Sequence, residues 1–186
     1  RIVQQADVTA GRVQYQASAI QMEAGSTTRS TSGTIDYRAT GGPMQLSRLV
    51  TGGDVRINAG NQQVVSANRS MAANIEANNL TWQAAPAEVT GSAARVRGQL
   101  LGMEDRLIKV SANTITLPAG SGERLRLIDQ RGHGFLYQTG PLDQGVFLIS
   151  LNNRATITSG WVERDFPLIA YGLGAAPAQE ARSERS

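Results

Sequence analysis

"ANNLTWQAAPAEVTG", residues 77–91, carries an apolar pair two residues apart, Leu80 and Trp82, followed by a proline, a valine and a glycine. Residues 33–47, "GTIDYRATGGPMQLS", have the same outline: Ile35 and Tyr37, a proline, then Met44 and Leu46. Apolar residues at i and i+2 with polar residues between them describe a strand with one apolar and one polar face. The same alternation occurs in "AIQME" (Ile20, Met22), "DVRIN" (Val55, Ile57) and "NTITL" (Ile115, Leu117), with Gly, Asn, Ser and Thr between the runs. Many short strands separated by turn formers predict an all-β sandwich, barrel or solenoid. The best helix candidate is residues 66–77, "SANRSMAANIEA", with Ser66 as its cap. Its apolar positions are few and mostly alanine, so it ranks below the strand reading.

The two phrases are 45 residues apart, as Ile35 is from Leu80 and Tyr37 from Trp82. Ser-Ala pairs recur at 18–19, 66–67 and 111–112, at spacings of 48 and 45. A period in this range marks a supersecondary unit stacked on its neighbour. A unit of three or four short strands cannot bury its own apolar face, so the copies must share one core. The spacing predicts repeats over about 11–58 and 59–120. More apolar, divergent strands follow over 121–174, including "RLRLID", "GFLYQTG" and "GVFLISLNN". The polar tail at 175–186 reads as disordered or as a linker.

Composition narrows the function. The 186 residues suffice for one domain with a real core. There is no cysteine, which removes disulfides and thiolate metal sites. No run approaches the ~20 apolar residues of a membrane helix. The chain starts at Arg1 and shows no signal peptide, so we expect a mature segment with any targeting sequence removed. Of the 18 basic residues, 17 are arginine and one is Lys109. They are spread along the chain instead of forming a stripe, which argues against nucleic acid as a partner.

Little here carries catalytic chemistry. His133 is the single histidine, and neither a nucleophile pair nor a histidine metal site can be built on it alone. Glu104 and Asp105 are adjacent, and adjacent strand residues point to opposite faces, so they do not form a carboxylate pair. Gly41-Gly42 and Gly52-Gly53 lack the residues of a phosphate loop and read as turns. No catalytic residue, metal site or cofactor is assigned, and the expected protein is not an enzyme.

The runs "VTGGDVRINAGNQQVVSAN", "NNLTWQAAPAEVTGSAARVRGQLL" and "LIKVSANTITLPAG" resemble the OstA-like (LptA-like) domains of lipopolysaccharide transport. The resemblance rests on a glycine-led V-x-I strand (Gly53–Ile57), a P-A-x-V-x-G step (Pro86–Gly91) and an A-N-x-I-x-L strand (Ala112–Leu117). It covers roughly residues 10–120. It implies an antiparallel β-jellyroll folded as a taco, one OstA-like domain over 1–174, in the periplasm and acting in outer-membrane biogenesis. It also implies an apolar groove for the acyl chains of a lipid or lipopolysaccharide. Other OstA-like domains would dock by edge-to-edge strand pairing, with a homo-oligomer as one form of this. The groove would be lined by Ile20, Met22, Ile35, Tyr37, Met44, Leu46, Val55, Ile57, Leu80, Trp82, Ile115 and Leu117. Two alternatives stay open: a structural β-repeat protein of a surface or filament, with a closed core, and, more weakly, a carbohydrate-active enzyme on a β-solenoid.

Overall fold

In a computed structural model, the described residues are 1–70, 72–85, 95–96, 99–100, 107–117, 125–130, 134–139, 146–152, 156–158 and 170–171. They form a parallel β-solenoid. The first coil holds β1 (Ile2–Gln4), β2 (Val8–Thr9) and β3 (Val13–Ala17), and the second β4 (Ile20–Met22), β5 (Thr27–Ser30) and β6 (Ile35–Ala39). The third holds β7 (Met44–Leu46), β8 (Arg48–Thr51) and the first half of β9 (Asp54–Ser66). Coiling continues through β10 (Ile75–Ala85). A small antiparallel pair, β11 (Arg95–Val96) and β12 (Gln99–Leu100), precedes β13 (Lys109–Thr116). A second antiparallel pair, β14 (Leu125–Gln130) and β15 (Gly134–Thr139), precedes β16 (Val146–Ser150), β17 (Thr156–Thr158) and β18 (Ala170–Tyr171).

Three sheets result, and successive coils repeat them in the same order. Sheet 1 stacks Ile2, Ile20, Met44 and Val64 in register. Sheet 2 stacks Val8, Thr28, Leu49, Ile75, Val110 and Ser150. Sheet 3 stacks Val13, Ile35, Val55, Leu80, Ile115 and Ile157. All of these ladders are parallel. The expected antiparallel β-jellyroll or taco is therefore overturned. Period-2 alternation says which side of a strand is apolar, and it reads the same whether the neighbouring strand runs parallel or antiparallel.

The ladders also explain the phrase written twice. Ile35 pairs with Val55 and Val55 with Leu80, steps of 20 and 25 residues. The spacing of 45 is thus two coils, with the Val55/Ile57 strand lying between the two phrases. The described residues of 66–77 hold the end of β9, bends and the start of β10 instead of a helix. Gly41-Gly42 and Gly52-Gly53 are turns between strands, as expected.

The corner between sheets 2 and 3 shows how coils are locked together. Ser30 Oγ donates to the Gly11 carbonyl at 2.8 Å and accepts from the Gly33 amide at 3.0 Å. One coil later Thr51 Oγ1 donates to the Gly33 carbonyl at 2.7 Å and accepts from the Gly53 amide at 3.0 Å. Each hydroxyl thus closes its own turn and ties it to the coil before. The close approach needs glycine: a Cβ on Gly53 would lie 2.5 Å from the Ser32 carbonyl oxygen. At the corner between sheets 1 and 2, Asn74 is fully buried and satisfied. Its amide nitrogen donates to the Ser47 carbonyl at 2.8 Å and to Ser66 Oγ at 2.9 Å, and its oxygen accepts from the Lys109 amide at 3.0 Å.

The coils lengthen towards the C-terminal side. Sheet 3 advances by 35 residues from Leu80 to Ile115 and by 42 from Ile115 to Ile157. The added chain contains the β11–β12 and β14–β15 pairs. β15 runs antiparallel to β16, whose Ile149 and Ser150 pair with Lys109 and Val110 of β13. The next place in sheet 2 is therefore taken by an antiparallel strand.

Candidate functional site: the closed interior and the open end

The structure gathers all twelve expected groove residues into one interior. Ile20, Met22, Met44 and Leu46 come from sheet 1; Ile35, Tyr37, Val55, Ile57, Leu80, Trp82, Ile115 and Leu117 come from the sheet 3 side. None is more than 4% exposed. Sheet 2 adds Leu49, Ile75 and Val110 on the third side. The side chains pack against one another in a single cluster, so the described interior is filled by the chain itself. Tyr37, Ile57 and Trp82 follow one another on adjacent coils, while Asp36 and Thr81 face outward.

Polar groups sit inside this core, which the alternation did not signal. Gln4 and Thr28 are buried beside Tyr37. Gln4 Oε1 accepts from Thr28 Oγ1 at 3.0 Å and from the Tyr37 hydroxyl at 3.2 Å, and the two hydroxyls are 2.6 Å apart. The amide nitrogen of Gln4 donates to the Ala6 carbonyl at 3.0 Å. The three side chains are satisfied by one another and by the Ala6 carbonyl, as polar groups deep in a core must be. Trp82 differs: its indole Nε1 is buried with no hydrogen-bond partner.

Burial pushes the Tyr37 phenol well above the usual tyrosine range, and the hydrogen bond with Thr28 opposes this only in part. The consequence for stability has a definite sign. Below pH ~10 the phenol is neutral in both folded and unfolded chains. Above that, the unfolded chain releases the proton while the folded one retains it, so stability falls as pH rises. Tyr37→Phe should cost about 1–2 kcal/mol at neutral pH, because Thr28 and Gln4 lose a partner. It should also flatten the alkaline fall. Urea midpoints of both proteins measured from pH 8 to pH 11, roughly spanning the free tyrosine value, check both parts.

At the first coil the interior reaches the surface. Ile2, Val8, Tyr15 and Ala17 pack on the core but are only partly buried. Tyr15 stacks on Tyr37 with ring centroids 4.7 Å apart and planes at 21°. Among the described residues β1, β2 and β3 pair only with β4, β5 and β6, so their other edges are open. The outer faces are polar. On sheet 3 they present Gln14, Asp36, Arg56 and Thr81 in one row. On sheet 2 Arg48 and Glu76 form an exposed ion pair.

His133, Glu104 and Asp105 lie outside the described residues. Among the described residues no group of His, Asp or Glu has the grouping of a metal site. No helix there is long and apolar enough to cross a membrane. No family model, curated protein or solved structure matches the chain.

Proposed function

We propose that this chain is a non-enzymatic structural element, a β-solenoid that acts through its outer faces while its core stays closed. The observation that supports this reading is the packing of the interior. A lipid-transfer groove needs apolar side chains that a guest can reach, and the twelve candidates are covered by their own neighbours. Protein interiors packed in this way leave little room for an acyl chain. As part of the same proposal we place the protein in the cell envelope, where the resemblance to OstA-like domains would put it.

The test is a titration with a fluorescent fatty acid, with the lipid A portion of lipopolysaccharide as competitor. The expected result is a weak, non-saturating signal unaffected by the competitor. Saturable binding that weakens in Trp82→Ala would sink the structural reading and support acyl-chain transport in its place.

A further inference from the structure

The outer face of sheet 3 carries charges that the chain leaves unpaired. Beside the row Gln14, Asp36, Arg56 and Thr81 runs a second row, Gln16, Arg38, Asn58 and Gln83, and both keep register over four coils. Arg38 and Arg56 are exposed and Asp36 is half-buried. Among the described residues, none of these three charged side chains makes an ion pair or a hydrogen bond. The charges nearby are already engaged: Asp54 accepts from Asn79 Nδ2 at 2.8 Å, and on sheet 2 Arg48 is paired with Glu76. The outward row of sheet 1, Val3, Gln21, Gln45 and Val65, has no charge at all.

We infer that two copies of this chain associate face to face through sheet 3, about a twofold axis that runs along the strands between the second and third coils. The pattern of charge selects a second copy as the partner, because the face is complementary to itself. That axis exchanges the second coil of one copy with the third coil of the other. Asp36, which is in register with Arg56 inside the chain, then also lies opposite Arg56 of the second copy, and the pairing occurs twice. Arg38 lies opposite Asn58, and the outer coils bring Gln16 to Gln83 and Gln14 to Thr81. No like charges meet in these rows. The alternatives are poorer. An axis through the second coil sets Asp36 on Asp36 and Arg38 on Arg38, and one through the third sets Arg56 on Arg56. An axis along the solenoid between the two rows opposes Asp36 to Arg38, but it turns the row of Asp54 and Asn79 towards the corner beyond the strands instead of the partner's sheet. Guanidinium–carboxylate pairs give orientation as well as attraction. A contact of this kind is isologous and stops at two subunits.

The inference rests on the structural reading, for which it names the partner of one outer face. It can fail alone, since its readout is mass and not lipid binding. Sedimentation equilibrium of the full chain should show a monomer–dimer equilibrium that weakens as salt rises. Asp36→Arg and Arg56→Asp each set like charges opposite one another twice, and each should weaken dimerisation about tenfold. Mixed in equal amounts, the two variants should recover a dimer of one copy of each. The introduced arginine then faces the introduced aspartate, and the native Arg56 of one copy faces the native Asp36 of the other. Arg38→Asp changes the net charge as Arg56→Asp does, but its position faces Asn58, so it should weaken dimerisation about twofold at most. Circular dichroism checks that each variant keeps its strands. A monomer at every concentration, a dimer indifferent to Arg56→Asp, a loss as large in Arg38→Asp, or a mixture that stays monomeric would each overturn the inference.

Discussion

Trp82→Ala is expected to destabilise the protein by about 3–5 kcal/mol, the range for deleting a fully packed large aromatic. Trp82 is 2% exposed, and it follows Tyr37 and Ile57 in the column that spans the middle of the solenoid. Removing it leaves a hole between coils that are held on both sides by backbone ladders, so the site cannot easily collapse. Trp82→Phe should cost less than its loss of volume implies, because it also removes a buried indole donor that has no acceptor. Urea denaturation of both variants checks the pair. If Trp82→Ala lost under about 1 kcal/mol, the packed-core description would be wrong at its centre.

Gly33→Ala should be nearly as damaging although it adds a single methyl group. A Cβ at Gly33 would overlap the Gly11 carbonyl oxygen, which is backbone and cannot rotate away. The same carbonyl accepts the Ser30 hydroxyl, and Ser30 in turn closes the Gly33 turn. Relief therefore requires the first coil to move off the second, which breaks the register of Val13 with Ile35 and of Tyr15 with Tyr37. We expect a loss of about 3 kcal/mol, the upper part of the range for overpacking. Faster amide exchange should be concentrated in β1 to β3. Gly41→Ala is the control: its Cβ would meet nothing within 4 Å, and stability should stay within about 0.5 kcal/mol.

The sequence made some of this architecture legible, and the reasons differ from residue to residue. Ile35, Tyr37, Leu80 and Trp82 betrayed their inward direction because a strand next to water must alternate. Strand direction left no such trace, since parallel and antiparallel neighbours impose the same alternation. Coil length was hidden by its own variation. The steps from Val13 to Ile35 to Val55 to Leu80 are 22, 20 and 25 residues, so no single period repeats and the two-coil spacing stood out instead. The corner bridges were also unreadable. Ser30 before Gly33 and Thr51 before Gly53 look like ordinary turn residues, and only the stacked coils show that each hydroxyl reaches its neighbour. Gln4, Thr28 and Asn74 are polar residues that give no apolar signal in the sequence, and they are buried because they satisfy one another or the backbone.

Lys109 is the only lysine in the chain, and it is fully buried beside Asn74. Acylating reagents, aldehyde fixatives and lysine-coupled supports therefore find no side-chain amine on the folded surface. The residues of this chain offer no side-chain amine to covalent capture until the coil carrying β13 opens. The same residue becomes a built-in reporter, because its acylation marks a molecule in which that coil has come apart.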